Sequence, residues 1–269
     1  MATVRYGARE LLPAAPSAGT DANAPKMWAR TLVTFYETDP EFIDAVLPPP
    51  LLPTDRPLVR INIAEVDMPG HDYTLGAGVF SVQCRHGDLV GLYDLTMVMT
   101  TESAVVGGRE VFGEPKKIGQ VSLERDGDRI SGSMTRHGIS YIEVNGRVAE
   151  SLTPRPLSER TSFYFKFLLD PQGGGFDFDP TLIHCIRTEE QRTLDRIEGE
   201  VTLRESAADP VIDLPVRRIV SMEYSESATT QQGFIMGHVS GDGMMPFVHQ
   251  RYDTPPALQR AKRHVAVGL

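Results

Sequence analysis

Apolar, β-branched and aromatic residues fall in short runs broken by polar turns, a pattern of strands rather than long amphipathic helices. RTLVTFYE, residues 30–37, is the first such run. Asp39 then reads as a helix cap, Pro40 as the first helical position and EFIDAVL as the helix, which Pro48, Pro49 and Pro50 stop. Further strands are predicted over 58–66, 78–84 and 88–99. VSLERDGDRISGSM reads as a hairpin turning at Asp126-Gly127. Strands follow at 139–152, 161–169, 180–187 and 195–205, with a final pair at 216–224 and 232–240. The pattern predicts a mainly β (α+β) fold, a barrel or sandwich with a few short helices. Residues 1–27 read as a mobile or draped N-terminal extension, and no linker divides residues 28–269, which read as one domain.

Composition narrows the function. The 269 residues are 41% hydrophobic and 23% charged, ordinary values for a globular chain. A net charge of -9 and the lack of a basic tract disfavour a nucleic-acid partner. No apolar run approaches the ~18 residues that span a bilayer, so no membrane partner is expected. No apolar core marks a secretion signal near the N-terminus. Two cysteines, Cys84 and Cys185, suit a reducing cytoplasm. There is no HExxH, no CxxC and no ligand-spaced histidine cluster; His71 and His184 are isolated. Gly76-Ala77-Gly78 lacks the third glycine of a dinucleotide fingerprint. Neither a metal nor an organic cofactor is expected.

The chemistry concentrates in the lysines. Only five of the 27 basic residues are lysine, and Lys116 and Lys117 stand together in VFGEPKKIGQ, residues 111–120. A lysine amine can lose its proton when desolvated or beside another cation, and then becomes a nucleophile, which arginine cannot do. An exposed basic turn is the plainer reading of the pair. Lys166, within FYFKFLLD, is a second candidate on composition, although it reads as a strand lysine with a packed stem.

Four segments in order carry a resemblance. GREVFGEPKKIG (108–119), RPLVRINI with DYTLG, TSFYFKFLLDPQGG, and DLPVRRIVS (213–221) together resemble the acetoacetate decarboxylase family, over roughly residues 28–225. The resemblance implies an antiparallel, cone-like β-barrel and an oligomer built from dimers. It also implies a lysine that forms an imine with an oxo acid, an activated nucleophile established for that family. By resemblance Lys116 is that lysine, Lys117 is the neighbour that lowers its pKa, and Arg30 is the fork for a substrate carboxylate.

The chain also departs from the family. The two site glutamates implied by the resemblance are Asn62 and Leu75 here, and Glu65, three residues on, points to the opposite strand face from Asn62. Glu114 stands where the family has a bulky aromatic residue and is a candidate acid or base, as are Tyr73 and Tyr252. Keeping the lysine while changing its partners is how one scaffold takes up a different reaction. The expectation is therefore an imine-forming lyase, leaning to aldol condensation and dehydration of pyruvate or a similar 2-oxo acid with an aldehyde, or the reverse. Two alternatives stand beside it: a 3-oxo acid decarboxylase, and a non-catalytic barrel that binds a small molecule.

Overall fold

The computed structural model describes residues 6–7, 26–68 and 72–253. The extension expected over residues 1–27, and His71, lie almost wholly outside the described residues. Among the described residues the elements run β1 (Trp28–Glu37), α1 (Pro40–Val46), β2 (Leu52–Pro53), β3 (Leu58–Asp67), β4 (Thr74–His86), β5 (Leu89–Met99), α2 (Glu102–Phe112) and β6 (Lys116–Ile118). They continue with β7 (Gln120–Asp126), β8 (Arg129–Arg136), β9 (Ile139–Ser151), β10 (Ser158–Lys166), β11 (Thr181–Leu203), β12 (Arg218–His238) and a short α3 (Gly241–Met244).

All twelve strands join one sheet, and seven of them close on themselves. The path runs β10-β5-β4-β3-β1-β12-β11, and β11 pairs back to β10. Closure leaves no open edge in this ring. The seam is a short parallel pairing, Ser162↔Leu92 and Phe163↔Tyr93, within an otherwise antiparallel barrel. The far half of β11 leaves the ring to pair with β9, and β8 and β7 follow as an outer layer.

The main core lies between that layer and the outer wall of the barrel. Leu32, Ile61 and Ile63 from the wall meet Met134 and Ile142 from the layer, all at most 1% exposed. Each such side chain contributes about 1.5–3 kcal/mol on burial. A smaller cluster of Val79, Met97, Met99, Tyr164, Ile183 and Cys185 packs inside the ring against Phe112 of α2.

Several sequence expectations meet the structure directly. The β7–β8 hairpin turns where expected, with Gly127 at φ +61. Helix α1 ends before the prolines, but Asp39 makes no cap hydrogen bond; its carboxylate takes the guanidinium of Arg217 at 2.7 Å instead. The strands expected at 180–187 and 195–205 are one strand, and so are the two expected at 216–224 and 232–240. The polar stretches EEQRT and SESATTQQ read as breaks because they lack large apolar residues. They are continuous strand; Ser227, Thr229 and Gln231 face a polar barrel interior rather than a core. Helix α2 went unpredicted: Gly107 and Gly108 weaken its helical signal.

Candidate functional site

The inside of the ring holds a cavity of about 460 Å³. Strand alternation decides what faces it. On β3, Arg60, Asn62 and Ala64 point in, while Val59, Ile61 and Ile63 point out to the core. On β5 the alternation is broken by a bulge. Phe80 pairs with Thr96 and Ser81 with Asp94, so Leu95 is the extra residue. The bulge turns Asp94 to the same face as Met97, into the cavity.

The lysine segment is fixed from both ends. Gly113 ends α2 at φ +77, and its amide bonds the carbonyls of Arg109 and Gly108. A Cβ there would lie 2.6 Å from the Phe165 carbonyl oxygen, so only glycine lets the helix end sit this close to β10. The Glu114 amide donates to the Gly108 carbonyl, and the Met97 amide donates to the Pro115 carbonyl. Arg109 donates from Nη1 to the carbonyl of Lys116 at 3.1 Å. β6 then pairs in parallel with β5, Lys116 opposite Met97.

Lys116 points into the cavity. Its Nζ lies 2.8 Å from Oε2 of Glu114, whose side chain is 1% exposed. Glu114 also accepts from Nη2 of Arg187 at 2.6 Å and from Nε2 of Gln231 at 3.1 Å. Burial alone would push the Glu114 carboxyl up; the Arg187 guanidinium and the Lys116 ammonium outweigh it and hold it below the usual range. Arg187 donates to the Tyr164 hydroxyl at 3.0 Å, and that hydroxyl donates to Asp94 at 2.8 Å. A hydrogen-bonded line therefore runs Lys116–Glu114–Arg187–Tyr164–Asp94. Gly108 makes room for its first pair: a Cβ at that position would collide with Glu114 Oε2 and the Lys116 side chain.

Lys117 lies elsewhere. Successive residues of β6 face opposite sides of the wall, and Lys117 Nζ is 3.5 Å from both Asp209 and Asp253. Those carboxylates also take Arg136, at 2.6 and 2.5 Å. The expected pairing of the two ammonium groups is corrected on this geometry. Arg30 is corrected likewise: Ala29 and Thr31 face the cavity, and Arg30 pairs with Glu65 at 2.9 Å on the other face. Asn62 and Leu75 do line the cavity, and neither supplies a carboxylate. Tyr73 is 44% exposed and Tyr252 lies on the outer face over Arg109, so neither lines the cavity. Lys166 faces an outer groove beside Phe178 and Ile235.

Sequence reasoning missed Arg60, Arg160, Arg187 and Asp94, all of which line the cavity. The available signal was a charged residue at an alternating position inside an apolar strand, as in LVRINI and HCIRT. No group of His, Cys, Asp and Glu suited to a metal occurs among the described residues. No helix among them is long and apolar enough to cross a membrane.

Comparison with known proteins supplies the remaining findings. Residues 11–239 match the family model described as acetoacetate decarboxylase. An acetoacetate decarboxylase of Streptomyces nogalater is 30% identical over 202 residues, 69% of this chain and 77% of that protein. One of Chromobacterium violaceum is 38% identical over 105 residues, 38% of this chain and 42% of that protein, so the match spans less than half of that relative. A solved acetoacetate decarboxylase superposes with a TM-score of 0.69 at 20% identity, over 80% of this chain and 90% of that one. The enduracididine biosynthesis enzyme MppR, complexed with pyruvate, superposes with a TM-score of 0.67 at 17% identity, over 82% and 95%. At these identities the two structures attest the fold.

Proposed function

The chain belongs to the acetoacetate decarboxylase family, and from that premise we propose that it is a lyase whose Lys116 forms an imine with a small oxo acid. The observation that carries this reading is the 2.8 Å contact of Lys116 Nζ with the buried Glu114 inside the barrel cavity. An ammonium cannot attack a carbonyl, so a proton must leave Lys116 as substrate arrives. Glu114 is within reach to take it. The free amine adds to the carbonyl carbon, and Glu114 returns the proton as the carbinolamine hydroxyl leaves as water. Ammonium and ketone thus become a protonated imine and one water, with Glu114 again a carboxylate.

Within that class the reading is aldol condensation with dehydration on a 2-oxo acid. The imine draws electrons from the adjacent carbon, and Glu114 removes a proton there to give an enamine. The enamine carbon attacks an aldehyde, a carbon–carbon bond forms, and the protonated Glu114 supplies the alkoxide's proton. Loss of that hydroxyl as water and hydrolysis of the imine release the product. Two features support this choice. Asn62 and Leu75 face the cavity without carboxylates, and among the described residues the carboxylate paired with the amine is Glu114. MppR, of the same fold, is described in complex with the condensation product of pyruvate and an imidazole aldehyde. The second reading, decarboxylation of a 3-oxo acid, is favoured by the names of the relatives from Streptomyces nogalater and Chromobacterium violaceum. Assembly into an oligomer built from dimers belongs to the proposal and is checked by light scattering.

Borohydride trapping followed by mass spectrometry tests the proposal, with pyruvate and acetoacetate offered separately. An adduct on Lys116 from pyruvate is the expected result. Trapping by acetoacetate alone, with CO2 release, would transfer the assignment to the decarboxylase. No adduct from either acid would count for a barrel that only binds.

A further inference from the structure

Three arginines line the cavity, and their partners differ. Arg187 is ion-paired with Glu114 and donates to the Tyr164 hydroxyl, both from Nη2, although its Nε has no partner among the described residues. Arg60 and Arg160 have no carboxylate within ion-pair distance among the described residues. Arg60 is 6% exposed, and its one hydrogen bond goes from Nη2 to the neutral Oδ1 of Asn62 at 2.7 Å. The Arg160 side chain makes no hydrogen bond among the described residues, and its buried Nε has no partner. The carboxylates nearby are engaged elsewhere. Asp94 takes the hydroxyls of Ser81 and Tyr164, and Glu189 takes Nε2 of Gln191 at 3.0 Å. Burial pushes both guanidiniums down in basicity, and a neighbouring cation adds to it, Arg160 for Arg60 and Arg187 for Arg160.

A buried or half-buried guanidinium without a counter-charge is costly, and such a cost is met in folded proteins when a ligand supplies the missing charge. Around the cavity, Lys116 and three arginines face the carboxylates of Asp94, Glu114 and Glu189. The surplus is one positive charge, which one carboxylate would balance. The planar fork of arginine suits a carboxylate in two-point contact.

We infer that Arg60 and Arg160 bind the carboxylate of the oxo acid, in the role that sequence resemblance gave to Arg30. This rests on the reading of the cavity as an oxo-acid site. It also bears on the chemistry. Decarboxylation converts a bound carboxylate to neutral CO2, so guanidiniums that hold the anion stabilise the ground state more than the transition state. Aldol chemistry keeps the carboxylate and loses nothing by anchoring it. The fork therefore favours substrates that leave the reaction still bearing it.

The test uses oxamate, a carboxylate of pyruvate's size that forms no imine, titrated calorimetrically into the full-length protein. Wild type is expected to bind it. Arg60→Met and Arg160→Met are expected to weaken binding at least tenfold, and Arg30→Met to leave it unchanged. Arg160→Met is also expected to unfold at a higher temperature than wild type, since it removes a half-buried charge with no ion-pair partner among the described residues; a merely structural arginine would lower that temperature. Should Arg160→Met fail to fold, Arg160→Lys carries the comparison, with the charge kept and the fork lost. Failure of wild type to bind oxamate, or equal binding by the Arg160 variant, overturns the inference. Borohydride trapping fails separately: arginine-dependent oxamate binding without any imine on Lys116 keeps this site and discards the lyase.

Discussion

Lys116 and Lys117 are neighbours in the chain whose ammonium groups lie on opposite sides of the barrel wall, one against Glu114 and the other against Asp209 and Asp253. The wall is one strand thick, so a step of one residue crosses it. A lysine paired with two carboxylates across the wall is a structural ion, whatever its neighbour does. Lys117→Met is expected to lower stability by about 1–3 kcal/mol, because it leaves buried Asp209 with Arg136 as its remaining cation among the described residues, beside the Thr96 hydroxyl. Imine trapping at Lys116 should stay within about threefold of wild type. A large fall in trapping with little loss of stability would restore the electrostatic coupling of the two lysines.

Glu114 is the group closest to the amine and is asked to move protons. Glu114→Gln keeps an acceptor for Arg187 and removes the base. Turnover is expected to fall by about 10²–10⁴, the usual range for general acid–base catalysis. The pH profile of single-turnover imine formation should lose its acid limb. A variant with unchanged turnover would hand the proton transfers to another group.

Two adjacent glycines of α2 offer a paired control. A Cβ at Gly107 meets nothing within 4 Å, whereas one at Gly108 collides with Glu114 and Lys116. Gly107→Ala is expected to raise stability by about 0.5–1 kcal/mol through helix propensity. Gly108→Ala should cut turnover by more than tenfold, since displaced reacting groups lose rate steeply. Circular dichroism and steady-state kinetics on both variants decide it.

The outer ion network carries a pH signature. Asp253 is held down to about 2: burial pushes it up, and hydrogen bonds from Arg136 and His137 more than reverse that. A depressed carboxylate contributes stability that is full above its unfolded value, about 3.9, and is lost as pH falls toward about 2. Its side chain is 36% exposed, so solvent screening reduces the contribution to about 1 kcal/mol. Denaturation midpoints of wild type and Asp253→Asn should therefore differ at pH 6 and converge near pH 2.

The sequence made the strands legible wherever one face was apolar. β1, β3, β5 and the β7–β8 hairpin read correctly because the outer core marks every second position. It failed on β11 and β12, whose midsections are polar on both faces, one toward solvent and one toward the cavity. The lysine segment stood out by resemblance, and Glu114 by its departure from the family's aromatic residue. The roles of Arg30 and Lys117 were misjudged because sequence neighbourhood says nothing of which side of a wall a residue faces. The arginines at 60, 160 and 187 were hidden by distance: they come from β3, β10 and β11, and only closure of the ring brings them together.

Leu95 gives that geometry a further consequence. The interior of this barrel is a matter of parity, and the bulge at Leu95 is a single change of parity in one strand. Without it, Asp94 would point away from the cavity and Arg187–Tyr164 would lose its terminal anion. A one-residue insertion or deletion in a wall strand is thus a way to exchange the whole set of inward groups beyond it at once, which no point substitution achieves. The same shift turns that strand's core-facing residues inward, so it is tolerable only where both faces are polar, as in the midsections of β11 and β12.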